Sequence, residues 1–153
     1  MHFTLRTCRV ALLAAALSAG PVFAAVQQPP PRAAGVIIVK SGDVQWTDYP
    51  NRPGVKLAVI EGDLTKPGPF LIRVRFPAGY KLGPHTHPNI EHTFVLSGRL
   101  RLGYGAKEDG PAETLPAGTL IITPPNTVHF LATEEETVVQ THGMGPWAST
   151  AIK

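Results

Sequence analysis

Hydrophobic and polar residues alternate at short range along most of this 153-residue chain, and that pattern predicts strands rather than helices. Phe70, Ile72, Val74 and Phe76 alternate with Leu71, Arg73 and Arg75, a period of two with one buried face. Residues 36–40 are β-branched, and residues 57–60 form a second short strand closed by Glu61-Gly62-Asp63. Residues 93–102 are mostly strand formers, interrupted at Gly98. Residues 119–123 and 128–132 follow, separated by Pro124-Pro125-Asn126, and residues 137–141 are the last clear strand. Glu134-Glu135-Glu136, between two strands, reads as a solvated hairpin tip. Past the N-terminal segment no stretch of ten residues keeps helical spacing, and no internal repeat is visible. The pattern predicts an all-β fold, an antiparallel sandwich or barrel.

The N-terminal segment follows different rules. Arg6 and Arg9 precede an apolar run over residues 10–19 broken only by Ser18, and Pro21-Val22-Phe23-Ala24 follows with small residues at cleavage positions. This is the layout of a secretory signal peptide over residues 1–24. The run is too short for the ~20 apolar residues that span a bilayer. Cys8 precedes the run, which argues against a lipoprotein, and the lack of an Arg-Arg pair favours general Sec-type secretion over the twin-arginine route. The expected location is periplasmic or secreted, with no membrane association after cleavage. Residues 25–35, with Pro29-Pro30-Pro31, read as a flexible extended arm, and residues 36–150 as one domain.

Composition then narrows the partners. Glycine (15) and proline (16) are plentiful, as many turns require. Fourteen basic against eleven acidic residues give +3, and loss of Arg6 and Arg9 leaves +1, so nothing points to nucleic acid. Cys8 is the only cysteine, so no disulfide holds the processed chain.

Chemistry concentrates at His85-Thr86-His87. In an extended segment both imidazoles point to one side, and Glu91 shares their parity. Gly83-Pro84 and Pro88 keep the pair off a helix. Two imidazoles and a carboxylate converging on one face suit a divalent metal.

The wider spacing resembles the cupin superfamily. The first cupin motif, G-x5-H-x-H-x3–4-E-x6-G, is matched by Gly79, His85, His87, Glu91 and Gly98. The second, G-x5-P-x-G-x2-H-x3-N, is matched by Gly118, Pro124 and His129, with Asn126 where glycine is usual and Thr133 where asparagine is usual. Asn tolerates positive φ, which keeps the turn. The segment 140–147, ending in Gly145-Pro146-Trp147, resembles the ending of small secreted bacterial cupins.

The resemblance implies a cupin jelly-roll β-barrel (double-stranded β-helix) of six to eight strands. It also implies one divalent metal ion (Fe, Mn, Ni, Co, Cu or Zn) held by His85, His87, Glu91 and His129. It implies homodimerisation through edge strands as well. Two functions stay open. One is a metalloenzyme acting on a small organic substrate, dioxygenase-like or a Lewis-acid isomerase or hydrolase; the complete ligand set favours it. The other is a non-catalytic barrel binding a small molecule or the metal. No general base stands out.

Other positions are assigned by parity. Thr93 and Val95 face the cavity beside Glu91; Leu100 and Leu102 also face inward if the phase flips at Gly98. His92 points outward unless it exchanges roles with Glu91. Trp147 reads as structural, and His142 as either a cap on the barrel mouth or part of a terminal strand. Trp46 and Tyr49 read as cover for the outside of a sheet, Arg73 and Arg75 as facing solvent or a subunit, and Tyr80 and Lys81 as exposed at the rim.

Overall fold

The computed structural model describes residues 35–152. The signal-peptide assignment and nearly all of the proline-rich arm lie outside these residues. The compact unit runs from Ile37 to Lys153. No described helix is long and apolar enough to cross a membrane.

Eleven strands follow one short 3-10 turn at Ser41–Asp43. They are β1 (Thr47–Asp48), β2 (Lys56–Glu61), β3 (Gly68–Phe76), β4 (Lys81–Thr86), β5 (Glu91–Ser97), β6 (Arg99–Tyr104), β7 (Ala112–Pro116), β8 (Leu120–Thr123), β9 (His129–Ala132), β10 (Thr137–Gly145) and β11 (Thr150–Ala151). They form a six-stranded sheet, β1-β2-β3-β10-β5-β8, and a five-stranded sheet, β11-β4-β9-β6-β7. Every pairing is antiparallel. The chain changes sheet after β3, β4, β5, β7, β8, β9 and β10, the crossing pattern of a jelly roll. The count exceeds the six to eight strands expected; two of the eleven, β1 and β11, are two-residue edge bridges.

The core lies between the sheets. In β3, Phe70, Ile72, Val74 and Phe76 are buried, and β10 pairs with it so that Val139 faces Val74 and Thr141 faces Ile72. The inward rows of neighbouring strands therefore align, as a period of two demands. Val55, Val95 from β5, Leu100 and Leu102 from β6 and Ile121 from β8 complete the cluster. The phase does flip at Gly98, whose φ is +73° where the chain leaves one sheet for the other.

Several local expectations are overturned. Residues 36–40 form no strand, and Ile37 is 82% exposed. A β-branched composition suits a strand but forms none without a partner, and no strand pairs with this segment. Glu134-Glu135-Glu136 is solvent-exposed, but β9 and β10 belong to different sheets, so it is a crossover loop and not a hairpin tip. Arg73 and Arg75 do point out of the barrel yet are half-buried: Arg73 Nε donates to Gln140 Oε1 at 3.0 Å, and Arg75 lies over the Trp46 ring, 4.3 Å from its centre. Trp46 thus covers the outside of a sheet, as expected. Tyr80 is half-buried and stacks on Phe76, with ring centres 5.4 Å apart; Lys81 is exposed.

Candidate metal centre

The three histidine candidates converge because strand pairing brings them together, whereas Glu91 stands outside their 4.8 Å grouping. His85 lies in β4 directly opposite His129, the first residue of β9, and their rings are 4.2 Å apart centre to centre. His87 follows β4 by one residue, keeps the parity of His85, and lies 5.4 Å from His129. Asn126 adopts φ +60°, the left-handed turn expected of it, and its N–H donates to the His87 carbonyl at 2.8 Å. The turn of the second motif therefore holds the backbone of the first. Thr133, where asparagine is usual, is buried and donates to the Pro77 carbonyl at 2.7 Å, tying the end of β9 to the loop that carries Gly79.

All three imidazoles are buried, and each is locked in one tautomer. Nδ1 of His85, His87 and His129 donates to the carbonyls of Gly83, Ala148 and Thr127 at 2.8, 2.8 and 2.9 Å. A carbonyl only accepts, so Nδ1 carries the proton and Nε2 keeps its lone pair. One ring nitrogen from each lies within 4.8 Å of the others. Burial pushes the pKa of His85 down to about 3, against the pull of the Gly83 carbonyl. Burial likewise lowers His87 and His129, with Arg52 adding a smaller push on His87. Neutral imidazoles with free Nε2 lone pairs are what a metal requires.

Glu91 opens β5 and flanks this cluster. It is buried, its Oε1 lies 3.5 Å from His87 Nδ1, and it accepts a hydrogen bond from Trp147 Nε1 at 2.7 Å. Burial raises its pKa, and the Trp147 N–H opposes that rise. Trp147 is thus more than structural filler: its ring also lies parallel to His87, at 5° and 6.0 Å. The C-terminal segment reaches the site because it passes from β10 in one sheet to β11 in the other, carrying Trp147 and Ala148 across. Trp147→Phe keeps the stacking surface but removes the donor. The expected result is a metal affinity about 10–100-fold weaker with little change in melting temperature, read by competition with a chromophoric chelator.

The three imidazoles and Glu91 open onto a cavity of ≈ 80 Å³ with apolar walls from both sheets, including Val74, Phe76, Leu100, Leu102 and Ile121. Thr93 lines it as expected, with its hydroxyl 2.9 Å from that of Thr141. Tyr49 also lines it, packed edge-on against Trp147, so it does not cover the outside of a sheet. His92 and His142 are cross-strand partners on the outer face, with rings 6.2 Å apart, and neither reaches the cavity. His142 is therefore a strand residue and not a cap.

With the geometry in place, the family follows from the sequence itself. A model of the ChrR cupin-like domain matches residues 34–148. The chain belongs to this cupin-like family. Solved structures agree on the fold of this ChrR cupin-like domain. The polyketide cyclase RemF from Streptomyces resistomycificus superposes with a TM-score of 0.63 at 16% identity, covering 77% of this chain and 86% of that one. KdgF from Halomonas sp. gives 0.56 at 20% identity, covering 69% and 89%. The salicylate 1,2-dioxygenase from Pseudoaminobacter salicylatoxidans gives 0.55 at 14% identity, covering 65% and 30%. Comparison with curated proteins gives no match. A cyclase and a dioxygenase share this fold, so the fold does not choose the chemistry.

Proposed function

We propose that this cupin-like domain is an exported metalloenzyme. In this reading His85, His87, His129 and Glu91 hold one divalent ion, and the cavity takes a small organic substrate. The observation that carries it is the triple Nδ1–H to carbonyl arrangement, which leaves Nε2 unprotonated on three imidazoles clustered in one buried place. Three nitrogen donors and a carboxylate suit Fe, Mn, Ni, Co, Cu or Zn. The bound ion would supply Lewis acidity or, if redox-active, a place for dioxygen. Trp147 holds one oxygen of Glu91 and leaves the other to serve as ligand. The apolar walls exclude bulk water and accept an apolar substrate body. Among the described lining residues no histidine or carboxylate remains outside the ligand set to act as a separate base. That favours dioxygenase-like chemistry over base-dependent hydrolysis.

The Sec-type leader over residues 1–24 supports a periplasmic or secreted location. Phe94, Leu96, Leu120 and Ile122 are exposed on the outer face beside the edge strand β8, which supports a homodimer through that face.

Stripping and restoring the metal tests the catalytic reading. Oxygen uptake or substrate loss that vanishes with chelation and returns with the ion supports an enzyme. Stability that returns without turnover would assign the protein to non-catalytic binding.

A further inference from the structure

The loop between β1 and β2 places a cation at the cavity. Arg52 lines it together with His85 and His87. It is the only arginine or lysine among the lining residues, and Glu91 is the only carboxylate. Among the described residues the guanidinium has no hydrogen-bond acceptor and no ion-pair partner, whereas the exposed Arg99 pairs with Glu135 and Lys56 with Asp48. Arg52 lies over the Tyr49 ring, 5.0 Å from its centre, and Tyr49 in turn packs against Trp147.

Its loop is pinned. Tyr49 N–H donates to the Val55 carbonyl at 2.9 Å, Val55 N–H to the Arg52 carbonyl at 3.1 Å, and Arg52 N–H to the Tyr49 carbonyl at 3.2 Å. Val55 is fully buried and anchors the turn. The cation is therefore held on a rigid support, with planar donors free and an aromatic surface beneath it.

The geometry points to Arg52 as the residue that selects a small organic carboxylate as the ligand of this cavity, its carboxylate on the guanidinium and its apolar body against the walls. This rests on the metal centre proposed above: a divalent ion and Arg52 together outweigh the single carboxylate of Glu91, so the site is completed by an anion.

The test uses Co2+-loaded protein titrated with isobutyrate and with its neutral counterpart isobutyramide, followed by the visible absorption of the ion. Isobutyrate is expected to bind and isobutyramide at least about tenfold more weakly, since a charge-assisted hydrogen bond is worth that much or more. Arg52→Gln weakens isobutyrate about 10–100-fold, leaves isobutyramide and the Co2+ spectrum unchanged, and Arg52→Lys restores part of the loss. Equal binding of acid and amide, or an isobutyrate affinity untouched by Arg52→Gln, overturns the inference while the Co2+ spectrum leaves the metal centre standing. Failure to take up Co2+ overturns the metal centre and this inference with it.

Discussion

His85→Ala and His129→Ala each lose the bound metal, with affinity falling more than about 100-fold, whereas His92→Ala keeps it. Each of the first two substitutions removes one of three clustered imidazoles and leaves too few donors to replace the ion's water. The two Nδ1 bonds left behind still orient the remaining rings. His92 is one residue from Glu91, yet on a strand that single step sends it to the outer face, opposite His142. Isothermal titration with Zn2+ measures all three variants, and circular dichroism checks that each is folded. Loss of metal in His92→Ala as complete as in His85→Ala would show that the ligand register is off by one residue.

Gly98→Ala is expected to cost about 2–6 kcal/mol of stability. Two causes add. The residue sits at φ +73°, which costs a side-chain-bearing residue about 1–3 kcal/mol. A Cβ there would also lie 2.5 Å from the Glu136 carbonyl oxygen and 2.6 Å from Thr137 Oγ1. Neither neighbour yields easily: Thr137 is fully buried, and its hydroxyl lies 3.0 Å from the carbonyls of both Arg99 and Glu135. Overpacking adds about 1–3 kcal/mol. Gly118→Ala is the internal control, because Gly118 has φ +89° with nothing within 4 Å of a Cβ. It incurs the backbone cost alone, about 1–3 kcal/mol. Urea midpoints at unchanged slope give both values. If the two substitutions cost the same, the contact with the 134–137 loop is not rigid.

These two sites were legible in the sequence for a common reason: their geometry is local. Two histidines two residues apart share a face only on an extended chain, and a glycine between strands of opposite phase marks where the phase must turn. Asn126 was legible on the same basis, since few residues besides glycine accept its φ of +60°. Trp147 and Ala148 were not, because their partners Glu91 and His87 lie 56 and 61 residues away, and the contact exists only once the C-terminal segment crosses between sheets. The one available signal was the indole N–H, which needs an acceptor when buried. Tyr49 and Arg52 were hidden likewise, on a loop whose approach to the cavity depends on the burial of Val55. Strand β7 was missed because nearly all of Ala112–Pro116 is exposed, so no alternation marks it. Strand β4 carries no apolar alternation to mark it, and Gly83 and Pro84 fall at an irregularity in its pairing with β9. The apolar run at residues 36–40 carried the opposite error, a strand composition with no strand to pair with.

On the reading proposed here the three imidazoles and Glu91 hold one divalent ion. Elemental analysis of the purified protein, made without a metal-binding tag, tests it most directly. The expected result is one equivalent of Fe, Mn, Ni, Co, Cu or Zn per chain, as purified or after reconstitution. A chain that takes up none of these ions, even after reconstitution, would contradict the account and leave an apolar barrel that binds its ligand without metal.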